Sequence, residues 1–172
     1  VVGADSNWVF VQVHTDEGVT GLGEGSVSSK ALAVEAAIRD CERWVVGRDP
    51  RDIELLWQEM YRYPRWKGGP VLSSAISAIE IALWDILGQT LQAPIYQLLG
   101  GKARDRIRMY AHVVGDTPEE AAEHAIALVE QGYTAFKTGG LLVNGDVVRP
   151  HEAMRLGAAR IGAIREAVGP DI

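Results

Sequence analysis

Cysteine is almost absent from this sequence. Cys41 stands alone, so no intrachain disulfide can form and no thiolate zinc site can be built. It falls inside a helical pattern, where a lone thiol behaves as a small buried apolar group. Clustered positive charge is lacking as well. Seventeen Lys and Arg stand against 23 Asp and Glu, for a formal charge of −6, and no basic run stands out. That argues against a nucleic-acid partner, which needs such a cluster. A small anionic substrate needs only one or two placed cations and stays open. No apolar stretch approaches the ~20 residues of a bilayer span, and Val1 to Asp5 lack the charged and apolar regions of a signal peptide. The expectation is a cytoplasmic protein without membrane contact. There is no initiator Met and a strand pattern begins almost at once, so further chain is expected upstream.

What is present is a globular composition, 47% hydrophobic and 23% charged, in 172 residues. Over 8–14, Val9, Val11 and Val13 alternate with Trp8, Phe10 and Gln12, predicting a strand. A turn at 15–18, with Gly18 suited to positive φ, leads to a second strand over 19–25 and an antiparallel hairpin. A helix is expected over 31–46, with Leu32, Ala36, Cys41 and Val45 inward and Gly47 as its stop. Asp49 and Pro50 predict the N-cap and first residue of a helix running to Tyr61. A third helix over 71–87 carries Ala75, Ile79, Leu83 and Ile86 as its core stripe and ends at Gly88.

After Gly100-Gly101 the character changes. A strand over 106–113 is followed by a helix opened by Thr117-Pro118-Glu119-Glu120 and stopped by Gly132. A strand over 133–137, a loop, and a helix over 151–168 closed by Gly169-Pro170 complete the pattern. Strand, helix, strand, helix is the order of parallel βα units. Two such units cannot close a barrel, so a third strand is expected after Ile172.

The run Ala75-Ile76-Ser77-Ala78-Ile79-Glu80-Ile81-Ala82-Leu83-Trp84-Asp85-Ile86-Leu87-Gly88-Gln89, then Pro94-Ile95 and Leu98-Leu99-Gly100, resembles the signature of the mandelate racemase and muconate lactonizing enzyme family of the enolase superfamily. Gly18-Val19-Thr20-Gly21-Leu22-Gly23-Glu24 looks like its second capping strand, and Tyr133 to Lys137 like its second barrel strand. Trp57, Tyr61 and Gly68-Gly69-Pro70 are similar to the same region of galactonate dehydratase-like members. The resemblance implies an α+β capping domain over 1–101, its first strand missing, and the first two units of a truncated (β/α)-barrel over 102–172. It also implies a Mg2+-dependent hydro-lyase acting on an acid sugar, with a racemase or epimerase as the alternative, and a homo-oligomer. A non-catalytic relative that keeps the scaffold for binding stays open. By itself the run reads as a buried amphipathic helix; it identifies the family without carrying chemistry.

Lys137 ends a short apolar strand before Gly139-Gly140, where a barrel places substrate. The residues alone leave a solvated lysine equally open. In the racemase subgroup a lysine here starts a Lys-x-Lys motif, the first holding the substrate carboxylate and the second removing the α-proton. This sequence reads Lys137-Thr138-Gly139, so the second lysine is replaced and no base is expected on that face. The resemblance assigns three acidic magnesium ligands to later strands, none of them within the chain. Two loops, 3–7 and 26–30, are expected to close over substrate, offering Asn7, Ser28 and Lys30 as contacts. Either Ser28 or Ser29 reads equally as a helix N-cap. Arg149 and His151 could face the site, or lie solvated and in the first helical turn. His14, His112 and His124 have no metal-ligand spacing, and His112 ends the first barrel strand.

Overall fold

A computed structural model of the chain describes residues 7–139 and 149–172. Most of the loop expected at 3–7, and 140–148 after the last strand, lie outside them. The chain divides into two compact units, Val1–Ala103 and Arg104–Ile172.

In the first unit, alternation of apolar and polar residues makes an antiparallel hairpin of β1 (Phe10–His14) and β2 (Thr20–Glu24). Its turn closes on Gly18, whose φ of +84° suits a residue without a Cβ. Helices α1 (Ala31–Val45), α2 (Ile53–Arg62) and α3 (Pro70–Leu91) follow, then one turn, α4 (Ile95–Leu98). Ile53, Leu56, Met60, Ile76, Ile79, Leu83 and Ile86 form the core, closed by Val13 and Val19 of the hairpin and Ile38, Cys41 and Val45 of α1. Leu56 and Leu83 are fully buried, about 2 kcal/mol each of apolar burial.

α3 is buried along two lines. Ala75, Ile79, Leu83 and Ile86 line the core as the periodicity predicts. Ala78 and Ala82 face β2, where Gly21 and Gly23, with Gly25 just beyond the strand, admit the helix backbone; a Cβ on Gly25 would lie 2.6 Å from the Ser74 carbonyl oxygen. Contrary to expectation, the 22 residues of α3 are long and apolar enough on average to cross a membrane. Their inner positions are packed as the core of this unit, which accounts for the same composition.

Several boundaries differ from the sequence reading. On α1 the inward stripe is Val34, Ile38, Cys41 and Val45, while Leu32 is 81% exposed and Ala36 is also outward. The step from 36 to 41 breaks the 3.6-residue period, and the stripe through 34 keeps it. α2 begins at Ile53, not Pro50, because the Asp49 carboxylate is taken by the backbone N–H and guanidinium of Arg51 in a turn before the helix. α3 runs through Gly88 to an αL cap at Gln92. Gly88 admits Ile95 instead of stopping the helix: a Cβ there would lie 2.7 Å from Ile95 Cδ1.

In the second unit β3 (Ala111–Val113) and β4 (Phe136–Thr138) are parallel, paired Ala111 to Phe136, His112 to Lys137 and Val113 to Thr138. β3 starts five residues later than predicted, since 106–110 have no strand partner among the described residues. β4 lies at 136–138 instead of 133–137 for the same reason: only these three residues run beside β3. α5 (Pro118–Glu130) opens with a full capping box, Thr117 accepting from the Glu120 N–H and Glu120 accepting from the Thr117 N–H. α6 (Pro150–Val168) ends at Gly169. Val113, Ala121, Ala125 and Leu128 form the core with Phe136, Ile164 and Val168.

Candidate active site

Side chains alternate across a strand, and β3 and β4 have one covered face. Ala111, Val113, Phe136 and Thr138 are partly or fully buried, with Val113 and Phe136 against the helices. His112 and Lys137 are exposed on the other face and sit side by side as register partners. Lys137 has no hydrogen bond or ion pair among the described residues, which leaves its ammonium for an anion. The Tyr110 ring lies 6.0 Å from that of His112. Two residues beyond Lys137, Gly139 takes the next position on that face and supplies no side chain there.

The remaining candidates are exposed as well. Arg149 is the N-cap of α6 and exposed, its carbonyl accepting from Glu152 and Ala153. His151 is exposed in the first helical turn, 3.9 Å from the Glu152 carboxylate. Arg160 of the same helix bonds the residue after β4, and Arg149 precedes Arg160 by roughly 16 Å of helical rise. In the first unit, Asn7 and Ser28 are exposed at one end of the hairpin, where Gly25 N–H bonds Val9 O and Val9 N–H bonds Ser26 Oγ. Neither Ser28 nor Ser29 caps α1. Lys30 holds that position without a side-chain bond, and Ser29 adopts φ 60° in a turn closed by Lys30 N–H to Val27 O.

Two polar groups escaped the sequence reading. Arg160 is 6% exposed on the inner face of α6, in line with Ala153, Gly157 and Ile164. Its guanidinium donates to Gly139 O at 3.1 Å and reaches Thr138 Oγ1 at 3.5 Å. Helical spacing from Ala153 and Gly157 was the available signal. Ser26 is the other: its hydroxyl and, less strongly, its backbone N–H hold the Glu24 carboxyl below the usual carboxylate range. Elsewhere, His14 bonds Thr20 Oγ1 and His124 accepts from Val114 N–H, so both serve the scaffold. Burial pushes the Cys41 thiol up, away from a reactive thiolate. No group of three His, Cys, Asp or Glu among the described residues could hold a metal.

The chain matches known proteins over nearly its whole length. A family profile described as "Mandelate racemase / muconate lactonizing enzyme, N-terminal domain" covers residues 3–100. The chain therefore belongs to the mandelate racemase and muconate lactonizing enzyme family of the enolase superfamily. It is 43% identical over 162 residues to a D-galactonate dehydratase of Ralstonia pickettii, covering 94% of this chain and 42% of that one. A D-galactonate dehydratase of Klebsiella pneumoniae is 42% identical over 165 residues, 96% of this chain and 43% of that one. A solved structure of an enolase superfamily member from Salmonella Typhimurium superposes with a TM-score of 0.89 at 35% identity, over 98% of this chain and 49% of that one. The chain thus spans less than half the length of these curated relatives.

Proposed function

We propose that this chain is part of a sugar-acid dehydratase, a hydro-lyase that takes water from an aldonate such as galactonate, with Lys137 binding the substrate carboxylate. In this reading residues 102–172 begin a (β/α)-barrel, and Asn7, Ser28 and Lys30 are further substrate contacts carried by the family resemblance. The protein is a cytoplasmic homo-oligomer with a small carboxylate as its partner and neither nucleic acid nor membrane.

The observation that carries the reading is the pairing of His112 with Lys137 on the uncovered face of a parallel βα sheet. An ammonium there can neutralise a carboxylate, and charge-assisted bonds strengthen where water is excluded. The α-hydrogen of a hydroxy acid is a weak acid, so nearby cations must stabilise the charge that develops as it leaves. Gly139 offers no base beside Lys137. One base elsewhere then removes the proton, the hydroxyl on the next carbon leaves as water, and the enol becomes a 2-keto-3-deoxy acid. A racemase would need a base on each side of the carbon. Magnesium remains an expectation of the resemblance: the described residues do not fit it, since no three His, Cys, Asp or Glu among them come together.

The test is Lys137→Met in the full-length protein, assayed on a library of acid sugars for 2-keto product. A loss of about three orders of magnitude in kcat/KM is expected for a charged contact removed from a dry site. Near wild-type turnover would remove the assignment.

A further inference from the structure

Arg160 occupies a place that an apolar side chain would fill more cheaply. It lies on the inner stripe of α6 between Gly157 and Ile164, and it is 6% exposed. Among the described residues it has no carboxylate partner, and its Nε is buried without a hydrogen bond. A buried guanidinium in that condition carries a desolvation cost that neutral acceptors offset only in part. Among the described residues its one well-formed bond is to the carbonyl oxygen of Gly139, at 3.1 Å, with the Thr138 hydroxyl at the outer limit of contact.

Gly139 is where the chain leaves β4, two residues beyond Lys137. Packing on its side-chain position does not hold it, because a Cβ added there would meet nothing within 4 Å. Pairing with β3 does not hold it either, since the ladder ends at Thr138. Among the described residues, the guanidinium bond is what remains to hold the end of the strand that carries Lys137. A planar fork on a rigid helix is suited to this: it can hold a carbonyl and a neighbouring hydroxyl together, whereas a lysine ammonium is a flexible point donor.

We propose that Arg160 is a positioning residue that fixes the end of β4 and, through it, the aim of the Lys137 ammonium. The proposal deepens the dehydratase reading and rests on it for the role of Lys137; the anchoring itself does not.

The experiment uses the full-length protein with Arg160→Lys, which keeps the charge and loses the fork, and Arg160→Met as a second variant. Hydrogen exchange of a peptide covering 136–139 reads the anchor alone. Protection there should fall about tenfold in Arg160→Lys, with other strands unchanged. Unchanged exchange in β4 overturns the anchor whatever Lys137 does. A double-mutant cycle on kcat/KM reads the action through Lys137. Arg160→Lys should cost about tenfold in the wild-type background and less than about twofold when Lys137→Met is already present. Equal losses in both backgrounds overturn a role acting through Lys137. If Lys137→Met alone leaves turnover intact, the Lys137 reading fails, while the exchange result still decides the anchor.

Discussion

Gly23 of β2 lies directly under Ala78 of α3, so near that a Cβ on Gly23 would overlap the Ala78 carbonyl oxygen. The obstructing atom is helix backbone, which cannot rotate aside as a side-chain tip can. Gly23→Ala should therefore separate α3 from the hairpin and cost about 3 kcal/mol or more, at the upper end of overpacking effects. Denaturant unfolding of the protein checks it, with Gly18→Ala as a contrast. A Cβ on Gly18 meets nothing within 4 Å, so that variant carries only backbone strain at φ +84°. A Gly23→Ala loss no larger than that of Gly18→Ala would show that the close approach is not what holds these elements together.

The capping box on α5 makes a smaller prediction. Thr117→Ala removes the hydroxyl that accepts from Glu120 N–H at 3.2 Å and should cost about 1 kcal/mol. Thr117→Ser, which keeps the oxygen, should restore most of the loss. Equal destabilisation by both would point to the threonine methyl instead of the cap.

The Ser26 clasp predicts a pH dependence. Hydrogen bonds from Ser26 lower the folded-state pKa of Glu24 from its ordinary 4.5. A lowered carboxylate pKa contributes stability that is present above the unfolded value and is lost as pH falls through the folded one. Ser26→Ala also removes the acceptor of Val9 N–H, a contact that does not titrate. The stability gap between Ser26→Ala and wild type should be largest near pH 7 and narrow below pH 4.5 without closing. Chemical denaturation at several pH values reads the trend, and a gap that widens on acidification would contradict it.

Under the proposed dehydratase function, the absence of a side chain at 139 predicts the outcome at the substrate carbon. In deuterated water the full-length enzyme should release 2-keto product and return unreacted acid sugar with its original configuration. Recovery of inverted, deuterated substrate without loss of water would favour racemisation over dehydration.

Interactions between near neighbours are legible in the amino-acid sequence itself. Thr117-Pro118-Glu119-Glu120 specifies its cap through contacts three residues apart, and Gly18 marks a turn that few other residues can make. The 3.6-residue spacing of Ala75, Ile79 and Ile86 names the inward side of α3 because one helix determines it. The apolar pattern places Lys137 on a strand, yet sets the end of that strand one residue too early. A strand's limits depend on where a partner runs beside it, and that partner lies 25 residues away.

Contacts between distant elements were decided only by the tertiary structure. Asp85 accepts from the Leu22 N–H at 2.9 Å, across 63 positions. Nothing local to either residue specifies that bond. Gly21, Gly23 and Gly25 look like ordinary strand glycines until α3 is laid against them, and Gly88 looks like a helix stop until Ile95 needs its space. Arg160 reads as one more helix arginine, since charge alone does not reveal which face will be buried. Its aim at Gly139 follows from where the packing of α6 against α5 places it, a relationship that composition and periodicity leave free.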